Sequence, residues 1–421
     1  MNKMKTTTTV LFVLLIGLLA GCNHHTESVV IDPELCQGLW QKHMNALVMN
    51  DSDRQCVARI NDLAFSMLHQ MSINHPDSSF IVSPLSIACA IAVTGNGAQN
   101  GTRDEIEQLV GPIADANAFF KKYSDALPHN DYTDCHLLNY LAINSKYPIK
   151  DEFLKSVSSS YNACAKNLDF ADAKSVKQVN EWFKQQSQDK LTKAIDGLDP
   201  ESALDVIDAL LYNAVWSSPF DESETCDDYF ITGKGDTLLL PMMSQKYPKI
   251  YCDDGDDYQA IAFPYSGGCY WFLVVMPKSA KLSEFCASMN REKYTSILDA
   301  FQDKYDINLS LPRFKCDNNL DLTGFVKEMM PSAFSPMADF SDISSLPMFI
   351  SRIRQKTEIR VTELKTTAVS VTDVEMIEVS IRDILESGFN ANHPFLYFVY
   401  DEQTHAILLM GQFCGDGAIF D

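Results

Sequence analysis

Helical spacing dominates the first half of the chain and strand patterning the second. Over 59–70, apolar Ile60, Leu63, Ala64, Met67 and Leu68 fall on one side of a helix. Ser83 followed by Pro84 reads as a helix start with proline in the first turn, running towards Val93. From 104 to about 191 the pattern is mostly helical with short strands. Strand signals then take over at 204–215, 238–243, 270–276 and 306–311, and the end alternates densely over 395–400 and 406–413. Helices early and strands late, without strict βαβ alternation, predict an α+β domain.

The stretch E-L-K-T-T-A-V-S-V-T, 363–372, does not fit this division. As a strand it would place Thr366, Ala368, Ser370, Thr372, Val374 and Met376 on one face, all small or apolar. Lys365, Thr367, Val369, Val371, Asp373 and Glu375 would lie on the other, water-tolerant face. No proline falls between Pro347 and Pro394, so every residue keeps the N–H that a central strand donates. The segment is fit for burial, yet it runs on into the loop-like E-S-G at 386–388.

Charge and cysteine content narrow the function. A formal charge of −22 would repel nucleic-acid phosphates. The pair Lys121-Lys122 reads as a solvated helix face rather than a polyanion site. At the N-terminus Lys3 and Lys5 precede an apolar run from Val10 to Leu19, too short to span a bilayer. That run ends in L-A-G-C (19–22), which resembles a bacterial lipobox. A signal peptide over 1–21, lipid attachment at Cys22 and a polar tether over 22–55 follow as expectations, with the folded domain over 56–421. Residue Asn23 is not the aspartate that would signal inner-membrane retention, so the expected location is a lipid-anchored site in the cell envelope, periplasmic, surface-facing or extracellular. Of twelve cysteines, most sit in apolar surroundings and read as small buried hydrophobes, while Cys36 and Cys56 flank the tether as a candidate pair. No C-x-x-C or zinc-like Cys/His spacing occurs, so neither a metal nor a cofactor is expected.

Enzyme motifs fail individually. The run from Gly95 through Gly97 to Gly101 imitates a phosphate loop, but Asn100 stands where the third glycine belongs. Neither a G-x-S-x-G elbow nor a P-loop is present. The acidic group at 253–257 reads as a solvated loop or a casual cation site. A hydrolase is therefore the weakest reading.

Ordered fragments along the chain resemble the serpin family. N-D-L-A-F (61–65), F-I-V-S-P-L-S-I (80–87), G-A-Q-N-G-T (97–102), N-E-W-F (180–183) and W-S-S-P-F (216–220) come first. V-V-M-P (274–277), L-P-R-F-K (311–315), A-D-F-S (338–341), H-P-F-L (393–396) and I-L-L-M-G (407–411) follow in the same order. Residues 363–372 are similar to the family's hinge, which typically reads E-x-G-T-E-A-A-A-A-T. The resemblance implies helices packed on a large mixed sheet, further sheets and an exposed reactive loop over about 363–389. It also implies a monomeric suicide substrate, which traps a serine or cysteine protease covalently when its cleaved loop inserts into the sheet.

Residue roles follow from that resemblance. Glu363, Lys365, Thr366, Ala368, Ser370 and Thr372 form the hinge. Ser83, Ser86, Asn213 and Gln355 line the region where central strands part. The family's usual spacing places the cleaved bond at Val379-Ser380, suited to elastase-like proteases. Arg382-Asp383 is the alternative, suited to trypsin-like ones, if the extra loop residues precede the bond. Departures from the pattern are Lys365 for the hinge glycine, Thr367 for glutamate, Gln355 for a strand-latching histidine, and an apparent loss of about five residues between Asn213 and Trp216. Lys365 is expected to slow insertion by removing backbone freedom. The rival reading is a non-inhibitory relative acting as a binder or chaperone.

Overall fold

Ser83 and Pro84 open the helix on which the core is organised. The computed structural model describes residues 33–161, 163–247, 250–279, 281–304, 307–367 and 388–419. Helices α1 (Pro33–Ala46) and α2 (Asp51–Asn74) precede α3 (Pro84–Gly95). Asn50 and Asp53 form a reciprocal capping box at the start of α2, and the Ser83 side chain accepts from the Ser86 N–H at the start of α3. Every residue of α3 is buried, as its unbroken I-A-C-A-I-A-V demands.

Three sheets surround these helices. The central one has six strands: β1 (Thr133–Asn144), β2 (Cys164–Leu168), β3 (Leu204–Val215), β4 (Phe314–Asp321), β5 (Ile350–Val361) and β6 (Lys365–Thr367). Their order is β4-β5-β6-β3-β1-β2. The inner face carries Leu137, Leu141, Leu204, Val206, Leu210 and Tyr212 in the main core with α3. The outer face carries Leu138, Tyr140, Ala142, Ile207, Ala209 and Leu211 against Val179 and Phe183 of α4 (Ala173–Gln186). The C-terminal strands Phe395–Asp401 and Ile407–Phe413 pair within a seven-stranded sheet, as their alternation predicts. The architecture is α+β, with helices packed on a large mixed sheet.

Three expectations change here. Residues 33–46, read from sequence as tether, form α1, which docks onto the folded body through His43, only 5% exposed. His43 Nε2 lies 2.8 Å from Asp401 Oδ2, which also accepts from Tyr123 Oη at 3.2 Å. The twelve-residue β1 lies inside the stretch read as mostly helical. Its L-L-N-Y-L-A-I is buried on both faces, so it lacks the alternation that betrays a half-exposed strand. Finally, Cys56, half of the candidate pair, is a buried free thiol near the Val110 carbonyl, while the Cys36 side chain lies outside the described residues. Cys89, Cys135, Cys286, Cys316 and Cys414 are likewise buried thiols. Burial pushes Cys56 up to about 11 and both Cys286 and Cys316 up to about 12, which keeps them protonated and unreactive.

Replacing His43 with Ala leaves the Asp401 carboxylate buried with one fewer partner. The expected loss is about 1–3 kcal/mol in urea unfolding. A change of under about 0.5 kcal/mol would show that α1 is not held by this contact.

Candidate functional site: an opening in the central sheet

Polar side chains interrupt the apolar inner face of the central sheet along one row. Strands β1 and β3 set Asn139 opposite Asp208, and the parallel pairing of β3 with β5 sets Asp208 opposite Gln355. Period-two alternation turns all three towards α3. There Gln355 grips the Ser83 backbone twice: its Oε1 accepts from the N–H at 2.9 Å and its Nε2 donates to the carbonyl at 2.9 Å. Gln355 Nε2 also reaches Asp208 Oδ2 at 3.2 Å, and Ser86 Oγ donates to the same oxygen at 2.9 Å. Ser83 Oγ donates to the Leu408 carbonyl at 2.8 Å, tying α3 to the adjoining sheet. This network latches β3, β5 and α3 together.

No cation answers the Asp208 charge within that network. Burial pushes its carboxyl up to about 7, only partly offset by the donors Ser86 and Gln355. Asp208 Oδ1 and Asn139 Oδ1 have no hydrogen-bond partner among the described residues.

Above the latch the two strands separate. Their parallel pairing ends at Lys356 with Ala209. Higher still, β6 enters between them, antiparallel to both: Thr366 lies opposite Val361 and Ala214, and Thr367 opposite Arg360 and Asn213. Between these two zones, 357–359 on β5 and 210–212 on β3 have no ladder partner across the opening among the described residues. Thr357 Oγ1 and Tyr212 Oη, facing inward there, are also without hydrogen-bond partners among the described residues. Among the described residues, the two strands thus leave a slot three residues long beyond Thr367, lined by Thr357 Oγ1 and Tyr212 Oη.

The segment entering the slot is clamped at its mouth. Trp216 Nε1 donates to the Thr362 carbonyl at 2.8 Å, and the Trp216 N–H to the Leu364 carbonyl at 3.1 Å. Phe220 N–H donates to the Glu363 carbonyl at 2.8 Å. The buried Glu363 carboxylate accepts from Thr225 Oγ1 at 2.7 Å and lies 3.1 Å from Arg313 Nε. Thr366 is fully buried and its Oγ1 accepts from Tyr265 Oη at 2.9 Å.

Residues 58–415 match the family described as serpin (serine protease inhibitor). The chain belongs to the serpin family. An uncharacterized serpin-like protein of Thermococcus kodakarensis is 28% identical over 370 residues, covering 86% of this chain and 85% of its own. Alpha-1-antiproteinase of Bos taurus is 27% identical over 370 residues, covering 83% and 86% respectively. The structure of human thyroxine-binding globulin in complex with thyroxine shares the fold at a TM-score of 0.76 and 22% identity, covering 86% of this chain and 98% of that one. Serpins in general inhibit proteases through covalent complexes, and the family includes non-inhibitory members.

In this serpin Ser83, Ser86 and Gln355 meet at the latch, whereas Asn213 does not. Asn213 sits near the mouth of the slot on the outer face, and Asp208, five residues earlier, takes the latch position. β3 pairs with β1 without interruption from Leu204 to Ala214, so the strand is continuous up to the point of the apparent loss. The sequence signal for Asp208 was a carboxylate sharing parity with Leu204, Val206, Leu210 and Tyr212. Of the expected hinge residues, Glu363 lies at the mouth of the slot and Lys365 and Thr366 in β6, while Cys22, Ala368, Ser370, Thr372, Val379, Ser380, Arg382 and Asp383 fall outside the described residues. Elsewhere, Gly97 serves close packing, since a Cβ there would come 2.0 Å from Ile343 Cγ1. In the acidic group at 253–257, Asp254 and Asp257 have lysine partners, Lys278 and Lys293.

Asp208 makes the latch pH-sensitive. Its raised pKa means its contribution to stability is fully present below its ordinary value of 3.8 and lost as pH rises through about 7. Asp208→Asn stays neutral and keeps an oxygen for Ser86 and Gln355. The variant is therefore expected to gain about 1–3 kcal/mol over wild type at about pH 8 and little at about pH 4, by urea denaturation. Equal differences at both pH values would refute the assignment.

Proposed function

We propose that this serpin is an inhibitory suicide substrate of the cell envelope, tethered by lipid on Cys22, with a serine protease of elastase-like preference as its target. The observation that carries the reading is the entry of β6 between β3 and β5, antiparallel to both. Continuing β6 in its present register would set Ala368 opposite Ile359 and Tyr212, Val369 opposite Glu358 and Leu211, and Ser370 opposite Thr357 and Leu210. Small residues would thus face the core, and a hydroxyl would meet the orphaned Thr357 Oγ1. The two valines at 369 and 371 would turn outward, where a cavity of about 340 Å³ lies between Lys190–Asp196 and the pair Lys356 and Glu358.

The chemistry would begin with attack by the protease nucleophile on the carbonyl of Val379, expelling Ser380 as the new amine and leaving an acyl-enzyme. The freed loop would then insert, carrying the bound protease with it before water can release it. A fifteen-residue strand forms about fifteen backbone hydrogen bonds at roughly 0.5–1.5 kcal/mol each. The sum, on the order of 10–20 kcal/mol, rivals a domain's whole stability of about 5–15 kcal/mol. The native fold would then be protected by a barrier rather than by depth.

A second reading, a non-inhibitory carrier, draws on Lys365 and on the thyroxine-bound neighbour. The geometry of Lys365 weakens it: the residue lies in extended strand, half-buried on the outer face and paired with Val215. The backbone freedom of glycine is not needed there.

Two experiments test the proposal. Incubation with elastase-like and trypsin-like proteases should give an SDS-stable complex with the former, and Ser370→Arg should abolish the complex while leaving cleavage intact. If wild type is merely cut by every protease, inhibition is refuted. Cys22→Ala should move the protein from the membrane fraction to the soluble one; an unchanged distribution would remove the lipid anchor.

A further inference from the structure

A group of side chains away from the latch and hinge has the chemistry of a metal centre. Strand β1 starts in a tight hairpin, in which His129 and Asp134 form an isolated antiparallel bridge. Asn130 Oδ1 fixes the turn by accepting from the N–H groups of Tyr132 and Thr133, both within 3.0 Å. Asp134 and His136, two positions apart on β1, share one face. All three side chains consequently converge.

One carboxylate oxygen is the focus. His129 Nδ1 lies 3.1 Å from Asp134 Oδ1, and His136 Nε2 lies 2.8 Å from the same atom. The imidazole centroids are 4.3 Å apart, and the three potential ligand atoms all lie within 4.8 Å of one another. His136 Nε2 is shielded from solvent, and its contact with the carboxylate lacks hydrogen-bond alignment. A buried imidazole nitrogen aimed at an oxygen that already has another partner is poorly used by the protein's own hydrogen bonding. Zinc bonds of about 2.0–2.1 Å at tetrahedral angles separate neighbouring ligand atoms by about 3.3 Å. The two histidine–carboxylate spacings need open by about 0.2 and 0.5 Å respectively.

We propose that His129, Asp134 and His136 bind a divalent transition metal of the zinc class. Two imidazoles and one carboxylate are a donor set that late first-row ions favour over calcium or magnesium. His129, with half its side chain exposed, leaves the site open to an arriving ion and to a water as fourth ligand. Lys190 Nζ holds the other oxygen of Asp134 at 2.5 Å and supplies the counter-charge that a bound metal would replace. The sequence gives little sign of the site: the spacing H-x4-D-x-H brings the ligands together only because a hairpin folds His129 back onto β1.

The test is a Co²⁺ titration of the full chain, followed by Zn²⁺ competition. One equivalent is expected to develop the visible absorption of tetrahedral Co²⁺, and Zn²⁺ to abolish it. His136→Ala and Asp134→Asn should each weaken binding by about tenfold or more. Lys190→Ala retains every ligand and removes the competing ammonium, so it should bind more tightly than wild type; this arm stands even if a ligand variant folds poorly. The double variant His24→Ala/His25→Ala should bind as wild type does. No tetrahedral spectrum, or one lost in the His24/His25 variant but kept in His136→Ala, would overturn the proposal.

Discussion

The parallel contact between β3 and β5, held shut at Gln355, is the constraint on which the rest of the central sheet depends. Parallel neighbours that end their pairing partway leave two rows of backbone groups facing an opening. An apolar latch would bury those strands well enough but would not fix their separation. Gln355 does fix it, because both ends of its amide engage one residue, Ser83, at the start of a fully buried helix. The glutamine therefore ties the sheet to α3 without a histidine and without a charge of its own. Asp208 completes the row at the cost of a carboxylate buried with no cation, and a group in that state favours any rearrangement that returns it to water or gives it a proton.

The mouth of the slot is stabilised by different means. Trp216 and Phe220 hold the backbone of 362–364, and Glu363 is anchored by Thr225 and Arg313. Together they set the direction in which β6 enters, so that Thr366 reaches Tyr265 and the core while Lys365 remains outside. This explains how a lysine is accommodated at a hinge position. Its charge lies on the half-exposed face, and its φ is that of ordinary strand rather than of the left-handed region.

What the sequence revealed, and what it hid, follows from periodicity. Strict alternation of small or apolar residues with water-tolerant ones predicts an inward face from Thr366 onward, and Thr366 faces inward. The start of α3 was legible because a serine followed by proline has one common structural use. Strand β1 was obscured by burial on both faces, and α1 by its short apolar face, in which Leu39 and Trp40 flank the His43 contact. Asp208 is hidden for another reason: the family-like letters fall on Asn213, whereas parity along β3 separates the two residues. Asp208 shares the face of Leu204, Val206, Leu210 and Tyr212, and Asn213 does not.

Latch and slot are linked by the register of β6 between its two neighbours. Positions on β5 and β6 that face each other sum to 727, and those on β6 and β3 to 580, as the pairs Arg360 with Thr367 and Thr367 with Asn213 show. Carried downward, the same sums bring residue 370 to Thr357 and Leu210, the last positions without partners. Residue 371 would meet Lys356 and Ala209, which are already paired with each other, and residue 372 would meet Gln355 and Asp208. In that register residues 368–370 would pair without disturbing the latch, and residue 372 would have to pass between its two side chains. A threonine at 372 is small enough to do so, and its hydroxyl can replace the hydrogen bond that Asp208 loses when Gln355 moves away. On the proposed function, the barrier protecting the native fold is therefore concentrated at one row of the sheet. A cleaved loop would cross it at residues 371 and 372, not at the hinge where it enters.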